Sequence, residues 1–241
     1  MTIGYSVIIP AYNEEHWLPA TLSALKIAMN HQSLTGEIIV VDNNSEDNTK
    51  MVAEQAGARV VFEPVNQISR ARNAGARQAS GQYLIFVDAD SHVSADLLHD
   101  ALNQLSGGTC CGGGAVVQFD RPIGWFGNVI LTLWNWFSLT FNLAAGSFMY
   151  CTRDGFLAIG GLSEAVYAAD EIGFSRQLRA WGCKKGMKFW IIKDYPIVTS
   201  GRKVEWYSTS YQILLILMLM LFPFAVRFRS LCSFWYKRPN K

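Results

Sequence analysis

Four short apolar runs in the first half of the chain constrain its fold more than any other feature. The runs cover residues 6–10, 37–41, 59–62 and 83–87. Helical spacing follows each of them, over residues 17–30, 45–56, 69–79 and 95–105. Strands that are apolar on both faces and are separated by helices indicate a largely parallel sheet covered on both sides. The sequence therefore predicts an α/β fold.

Polar residues follow three of the predicted strands. The first strand is followed by Ala11, Tyr12, Asn13 and Glu14, the second by Asp42, Asn43, Asn44 and Ser45, and the fourth by Asp88, Ala89 and Asp90. The carboxyl ends of parallel strands meet at one edge of a sheet, where ligands bind in such folds. Polar residues also cap helices, which would explain any one of these loops. All three together favour a single site.

The triplet Asp88-Ala89-Asp90 has the oxygen ligands that Mg²⁺ or Mn²⁺ prefers. Such a cation can neutralise the charge of a diphosphate. If the strand continues, Asp88 and Asp90 point to opposite sides and have different roles. We expect Asp90 and Asp88 to bind the metal, with His92 as a further candidate ligand or hydrogen-bond partner.

Charge and cysteine content exclude several classes of protein. The net charge is +2 and 17% of residues are charged, which is too balanced for a nucleic-acid binder that works by bulk charge. The five cysteines are odd in number and contain no C-x-x-C pair, so a disulfide framework or a zinc site is not expected. A reducing compartment fits best. Asn13 to His16 interrupt the N-terminus, so no signal peptide is expected.

The order and spacing of several segments resemble those of the family-2 glycosyltransferases, which have a GT-A fold. The similar segments are residues 7–15, 40–45, 71–75, 81–90, 160–162, 169–171 and 176–182. The resemblance extends over roughly residues 5 to 200. It implies a Rossmann-like nucleotide-binding sheet flanked by helices, and a sugar transfer from a nucleotide-sugar donor.

The resemblance also implies roles for individual residues on the donor side. Those expected to line the nucleotide-sugar site are Pro10, Ala11, Tyr12, Glu14, Asp42, Asn44, Arg72, Asp88, Ala89 and Asp90. Among them, Asp42 is expected to contact the base and Arg72 to lie near the nucleotide. Asp88 would reach the ribose or the metal, and Asp90 would bind the metal.

Asp170 and Glu171 stand where the family has a Glu-Asp pair whose second acid is the catalytic base. The order is reversed here, so either residue could be the base. Glu171 is preferred because Phe174 and residues 176–182 then fall in register. A carboxylate opposite the leaving diphosphate suits direct displacement with inversion. The alternative is that both are helix N-terminal acids favoured by the helix dipole.

Many relatives have a histidine well downstream that helps to hold the metal or the diphosphate. The corresponding neighbourhood here reads Thr199-Ser200-Gly201-Arg202-Lys203 and has no histidine. Arg202 and Lys203 could stabilise the diphosphate by charge instead. The alternative is a basic pair that faces solvent or lipid.

Two further segments come before the apolar C-terminal region. Residues 107–114 contain five glycines, which indicates a loop or tight bend before a strand at 115–119. Residues 123–150 contain many aromatic residues, and Asn128, Asn135 and Asn142 recur every seven positions. The second pattern predicts an amphipathic helix that either packs on the sheet or forms part of a membrane-proximal acceptor site.

Residues 213–226 have no charged or strongly polar side chain, but a bilayer span needs about 20 apolar residues. Arg227, Arg229, Lys237, Arg238 and Lys241 follow. A single span is conceivable, but it would put these basic residues outside, against the positive-inside tendency. We therefore expect a segment that lies peripherally on the cytoplasmic face of a membrane.

These expectations define a catalytic domain at 1–203, with a donor half at 1–106 and an acceptor half at 107–203, and a membrane-associated segment at 204–241. The function expected is a metal-dependent, inverting, hexosyltransferase-type glycosyltransferase with a lipid or membrane-proximal acceptor. The alternatives are a nucleotidyltransferase and a non-catalytic membrane-bound relative. A nucleotidyltransferase would usually have a glycine-rich loop with a basic residue after the first strand, where this chain has Ala11-Tyr12-Asn13-Glu14.

Overall fold

The computed structural model describes residues 3–236, except for the side chains of Lys203, Ile216 and Met220. The strands are β1 (Tyr5–Ala11), β2 (Gly36–Asp42), β3 (Arg59–Phe62), β4 (Tyr83–Val87), β5 (Ser91–His92), β6 (Cys110–Phe119), β7 (Phe148–Thr152) and β8 (Lys188–Thr199). The helices are α1 (Leu18–Asn30), α2 (Thr49–Gln55), α3 (Ile68–Gln78), α4 (Ala95–Ser106), α5 (Trp125–Phe141), α6 (Arg153–Ala158), α7 (Asp170–Cys183), α8 (Arg202–Trp206), α9 (Thr209–Leu221) and α10 (Ser233–Tyr236). A 3₁₀ turn covers Pro223–Arg227.

Within the described residues, the strands form one sheet in the order β3-β2-β1-β4-β7-β6-β8-β5. Strands β1 to β4 are parallel, as the apolar runs predicted. Alternate residues of β1 pack into different cores: Val7 and Ile9 into one, Ile8 into the other. Both faces of the sheet are therefore covered, and the α/β fold is confirmed.

The second half of the chain extends the same sheet. Strand β7 pairs antiparallel with β4 on one side and with β6 on the other. Strand β6 runs parallel to β8, whose end pairs with the short strand β5. Because β5 directly follows Asp90, this pairing brings the end of β8, and with it Ser200 to Arg202, back to the acidic triplet.

The glycine-rich segment is not the loop that its composition suggested. Gly112, Gly113 and Gly114 lie inside β6, which begins at Cys110. A methyl group on Gly113 would clash with the Trp190 carbonyl and the Tyr150 ring, and one on Gly114 with Ala144. Close packing in the middle of the sheet requires glycine at these positions. The segment therefore has the glycine content of a loop although it is a strand.

Two helix predictions need correction. Ser45 does not begin a helix, because α2 starts at Thr49; its hydroxyl instead accepts a hydrogen bond from the Asn13 amide at 3.0 Å. The aromatic segment is helical only over α5. Asn142 ends that helix in a left-handed conformation with φ of 52°, and Phe148 and Tyr150 lie in β7.

Asn135 of α5 has a packing role that the sequence pattern could not specify. Its side chain accepts from the Val117 amide at 2.9 Å and donates to the Val117 carbonyl at 2.8 Å. The contact ties α5 to the bulged part of β6. Among the described residues, no helix combines the length and apolar composition needed to cross a bilayer.

Candidate active site

A cleft opens at the carboxyl ends of β1, β2 and β4, and we call it the edge cleft. Its lining combines strand-end loops, one buried arginine and aromatic residues from the end of the chain. It is lined by Pro10, Ala11, Tyr12, Glu14, Asn43, Ile68, Asp88, Ala89, Asp90, Arg202, Trp206, Phe234, Trp235 and Tyr236. The loops after β1, β2 and β4 therefore lie together at one edge of the sheet, as predicted.

Hydrogen bonds between the loops after β1 and β2 shape one wall of the edge cleft. The Glu14 amide donates to Thr49 Oγ1 at 2.7 Å, and the Asn13 side chain accepts from the Glu46 amide at 2.8 Å. Asp42 accepts from the Ser45 amide at 3.0 Å. These bonds fix the loops through backbone groups and leave Pro10, Ala11 and Tyr12 facing the cleft.

Arg72 on α3 connects the acidic triplet to a second acidic group. Its Nη2 donates to Asp88 Oδ1 at 2.9 Å and to the Gly146 carbonyl at 2.8 Å, while Nη1 donates to Asp170 Oδ2 at 3.1 Å. Only 3% of Arg72 is exposed. Burial lowers its pKa, but the charges of Asp170 and Asp88 outweigh this effect and raise the pKa above the ordinary value of arginine.

Close packing holds Arg72 in this position. A methyl group on Gly75, one turn along α3, would clash with Ile8 of β1 and Val41 of β2. Glycine there lets the helix approach the sheet closely, as a short helix-to-strand distance requires. Arg72 is therefore carried by a helix that is packed directly on the strands whose ends form the cleft.

Arg202 pairs with Asp90, the other aspartate of the triplet. Its Nη2 donates to Asp90 Oδ2 at 2.9 Å and to Glu14 Oε1 at 2.6 Å. The guanidinium lies near the rings of Trp17 and Trp206, at 4.9 and 5.4 Å from their centroids. Burial lowers its pKa, but the charges of Asp90 and Glu14 produce a net rise. Asp88 and Asp90 thus have different partners, and their division between nucleotide and metal stays a prediction.

A second cleft adjoins the first, and we call it the acidic cleft. Its lining includes the start of α7 and shares Ile68, Asp88 and Trp235 with the edge cleft. The remaining lining residues are Arg72, Gly146, Ser147, Tyr167, Ala168, Ala169, Asp170 and Glu171. Ala169 has φ of 59°, a left-handed conformation that is uncommon outside glycine and directly precedes the acidic pair.

The two acids of this pair lie in different environments. Asp170 is 6% exposed and bonded to Arg72, whereas desolvation and the neighbouring charge of Asp170 raise the pKa of Glu171 to about 8. A general base works best when its pKa is near the working pH. Asp170 is thus fixed by its ion pair with Arg72, and Glu171 has the pKa that suits a general base; which of the two acids is the base stays a prediction.

Sequence reasoning missed the aromatic residues near the end of the chain. Phe234, Trp235 and Tyr236 line the edge cleft, and the Tyr236 hydroxyl donates to the Tyr167 carbonyl at 2.9 Å. The same hydroxyl accepts from the Ile68 amide at 3.4 Å. The only local signal is the run of three aromatic residues after Ser233. Nothing in that run indicates which distant loop it covers.

Three predicted site residues with described side chains do not line either cleft. Asp42 and Asn44 lie at the same sheet edge but outside both linings, and Asn43 lines the edge cleft instead. His92 is exposed on β5. The Lys203 side chain lies outside the described residues. Their roles stay predictions.

The described residues do not form a ready site for Mg²⁺ or Mn²⁺. Asp88 and Asp90 are each paired with a buried arginine, and His92 lies outside the edge cleft. Across residues 3–236, no group of three or more His, Cys, Asp or Glu side chains could hold a metal ion. A cation at Asp90 would have to compete with the guanidinium of Arg202 for the same carboxylate.

Comparison with known proteins agrees with this architecture. Glycosyltransferase AglE of Haloferax volcanii is 34% identical over 125 residues, which is 49% of this chain and 41% of that protein. The chain spans less than half the length of the curated relatives that it matches.

Solved structures match over most of the chain. The mannosyltransferase PcManGT from Pyrobaculum calidifontis, in complex with GDP-Man and Mn²⁺, has a TM-score of 0.65 at 19% identity, covering 88% of this chain and 59% of that one. Glucosyl-3-phosphoglycerate synthase from Mycobacterium tuberculosis, in complex with Mn²⁺, UDP and phosphoglyceric acid, has a TM-score of 0.62 at 19% identity, covering 90% and 78%. These similarities establish the GT-A fold. Residues 6–157 also match the profile of glycosyl transferase family 2, so the chain belongs to that family.

Proposed function

We propose that the chain transfers a hexose from a nucleotide-sugar donor to an acceptor hydroxyl, with inversion at the anomeric carbon. The observation that carries the proposal is Arg72, which lies 2.9 Å from Asp88 and 3.1 Å from Asp170. This arginine joins the two clefts, so a donor bound in the edge cleft has its sugar directed toward Glu171. The complexes of fold neighbours with GDP-Man and with UDP support a nucleotide-sugar donor.

The donor would lie across the strand ends. Pro10, Ala11 and Tyr12 provide a wall for the nucleoside, and Asp88 is held by Arg72 where it can accept from a ribose hydroxyl. Trp235 contributes to both clefts and would contact the region where the diphosphate meets the sugar. Asp42 would contact the base, and Asn44 would complete the nucleotide-sugar site.

The chemical step uses Glu171 as the general base. The carboxylate takes the proton of the acceptor hydroxyl while its oxygen forms a bond to the anomeric carbon. The bond from that carbon to the diphosphate oxygen breaks, and the nucleoside diphosphate leaves with the electron pair. Asp170, held by Arg72, keeps the start of α7 in place and raises the pKa of Glu171 through its charge.

The sequence predicts Mg²⁺ or Mn²⁺, and both fold neighbours contain Mn²⁺. A cation that arrived with the donor would supply positive charge to the diphosphate. The residue nearest to such a cation would be Asp90, which is engaged by Arg202 at 2.9 Å. We therefore assign no step of the reaction to a metal.

We propose further that the chain works at the cytoplasmic face of a membrane, on a lipid or membrane-proximal acceptor. Large apolar side chains are exposed on α5 and α9, including Trp125 (77%), Trp136 (60%), Leu214 (66%) and Leu221 (71%). Exposed apolar surfaces of this kind are typical of membrane or partner contacts. Arg227 and Arg229 follow α9 and are exposed, as expected for contact with anionic headgroups.

A thermal-shift screen of nucleotide sugars, followed by a transfer assay, tests the function. A donor that binds the folded state raises the melting temperature by mass action. We expect one class of nucleotide sugar to stabilise the protein and to release its nucleoside diphosphate when a lipid extract is added as acceptor. Absence of stabilisation by any nucleotide sugar, or turnover of a nucleoside triphosphate with a sugar phosphate instead, would contradict the proposal.

A further inference from the structure

Arg202 is a buried cation on the lining of the edge cleft. It is 4% exposed, and its Nη2 makes both of its ion pairs, with Glu14 and with Asp90. Trp17 and Trp206 lie near the guanidinium. A fully ionised group in such a position is retained only if several partners compensate for its lost hydration.

Two N–H groups of Arg202 have no partner within residues 3–236. Nε and Nη1 are both buried and neither makes a hydrogen bond in that part of the chain. A buried donor without an acceptor costs stability, and more so when it carries charge. The unmet donors and the lining position together indicate that an external acceptor completes the guanidinium.

The acceptor chemistry follows from the group that the edge cleft is proposed to bind. Phosphate oxygens accept charge-assisted hydrogen bonds from a guanidinium, and Nε and Nη1 can each donate one such bond. Asp90 and Glu14 fix the guanidinium from one nitrogen and leave the other nitrogens for such a ligand. A cation at Asp90, by contrast, would have to displace a buried arginine from its carboxylate partners.

We propose that Arg202 is the resident countercharge for the donor's diphosphate, so that the donor binds without a divalent cation. This inference rests on the proposed function. Charge that develops on the leaving diphosphate is stabilised by a preorganised guanidinium, without any reorganisation at the moment of reaction. Two carboxylates next to one guanidinium nitrogen keep the group in place when the cleft is empty.

A corollary concerns the protein without Arg202. Glu14 and Asp90 both contact Nη2, so removal of the guanidinium leaves two carboxylates facing a common space. Such a pair attracts a hard divalent cation. The Arg202→Met variant should therefore bind Mn²⁺ and should need it for donor binding.

Titration calorimetry with UDP and GDP, in EDTA and in Mn²⁺, tests the proposal on the wild-type protein. We expect the nucleotide that binds to have dissociation constants that differ by less than about threefold between the two conditions, or about 0.7 kcal/mol. Binding only in Mn²⁺ would overturn the role of Arg202. Binding in neither condition would contradict the proposed function itself, which separates the two failures.

Variants sharpen the test. Arg202→Met should weaken nucleotide binding in EDTA by about tenfold or more, since one charge-assisted pair is lost, and Mn²⁺ should restore it. Arg202→Lys keeps the charge, so its nucleotide affinity in EDTA should lie between those of the wild type and Arg202→Met. This variant tests the proposal if the methionine variant does not fold. Arg121→Gln is the matched control, because Arg121 is 40% exposed and pairs with Asp120 and Glu205.

Electron paramagnetic resonance of Mn²⁺ without nucleotide tests the corollary. It should detect Mn²⁺ binding to Arg202→Met and not to the wild type; the reverse result would contradict the corollary.

Discussion

Arg72 Nη1 lies 3.1 Å from Asp170 Oδ2, although the two residues are separated by 98 positions in the sequence. Both side chains are nearly buried, with 3% and 7% of their surface exposed. The pair connects helix α3, which packs on the first strands, to the start of α7, which carries the acidic pair. The pair therefore ties the residue directly before Glu171 to the helix that packs on the first strands.

Replacing Arg72 should destabilise the fold strongly. Arg72→Met leaves Asp170 buried without its cation, and breaking a buried ion pair in this way costs about 3 to 5 kcal/mol. Urea unfolding followed by circular dichroism measures the effect. Lys50→Met is the control, because Lys50 and Glu54 are 63% and 54% exposed in their pair, and its loss should cost less than about 1 kcal/mol. Equal effects of the two substitutions would contradict a structural role for the Arg72–Asp170 pair.

Glu171→Gln should separate binding from turnover. The amide cannot take a proton from the acceptor, so we expect turnover to fall by about 100-fold or more, the usual scale of general-base catalysis. Nucleotide-sugar affinity, measured by thermal shift, should stay within a factor of about three, or 0.7 kcal/mol. Near-normal turnover in this variant would make Glu171 a helix N-terminal acid and not the base.

The same variant should change how stability depends on pH. The pKa of Glu171 rises from 4.5 to about 8 in the folded protein, so the folded state holds this proton more tightly than the unfolded state. Its stabilising contribution is full below pH 4.5 and is lost as the pH rises through about 8. Glu171→Gln removes that loss, so its melting temperature relative to wild type should be higher at pH 8.5 than at pH 4.5. A difference that does not change with pH would contradict the raised pKa.

Trp235 should contribute to donor affinity, because it lines both clefts. Loss of an aromatic contact of about 1 kcal/mol in Trp235→Ala corresponds to about fivefold weaker binding of the donor. Calorimetry with the stabilising nucleotide sugar measures it. Trp125→Ala is the control, since Trp125 is 77% exposed on α5 and lines neither cleft. Unchanged affinity in Trp235→Ala would place the end of the chain outside the donor site.

Membrane contact can be tested with single charges on α9. Leu214→Asp and Leu221→Asp place a carboxylate where a leucine would enter the lipid, and each should weaken binding to anionic phospholipid vesicles by about tenfold or more. Leu157→Asp is the control, because Leu157 is 62% exposed on α6, a helix that is not part of the proposed surface. Co-sedimentation measures binding; equal loss in all three variants, or none in any, would contradict a surface formed by α9.

The parallel half of the sheet could be predicted because apolar periodicity is a local property. The runs that became β1 to β4 carry their own signal, and the polar residues after them necessarily meet at one edge. Ser45 and Gly112 to Gly114 were misread for a related reason. Serine caps helices and glycine forms loops on average, but here a loop-to-loop hydrogen bond and a crowded strand determine their conformations.

The arginine pairs of the site could not be predicted in the same way. An ion pair between residues 72 and 170, or between 202 and 90, leaves no periodic trace in the sequence. The resemblance identified the acidic partners. For Arg202 the sequence allowed two roles, a contact with the diphosphate or a side chain that faces solvent or lipid. Burial of Arg202 excludes the solvent-facing alternative, while its contact with a ligand stays a proposal.

The contact between Glu14 and Arg202 spans 188 positions, so one wall of the edge cleft is completed by the last fifth of the chain. During synthesis, β1 to β4 can pair while that part is still inside the ribosome, but the cleft cannot yet exist. Closing so long a loop costs entropy that only the finished set of contacts repays. A nascent chain of this protein should therefore acquire the parallel strands β1 to β4 well before it can bind the proposed donor.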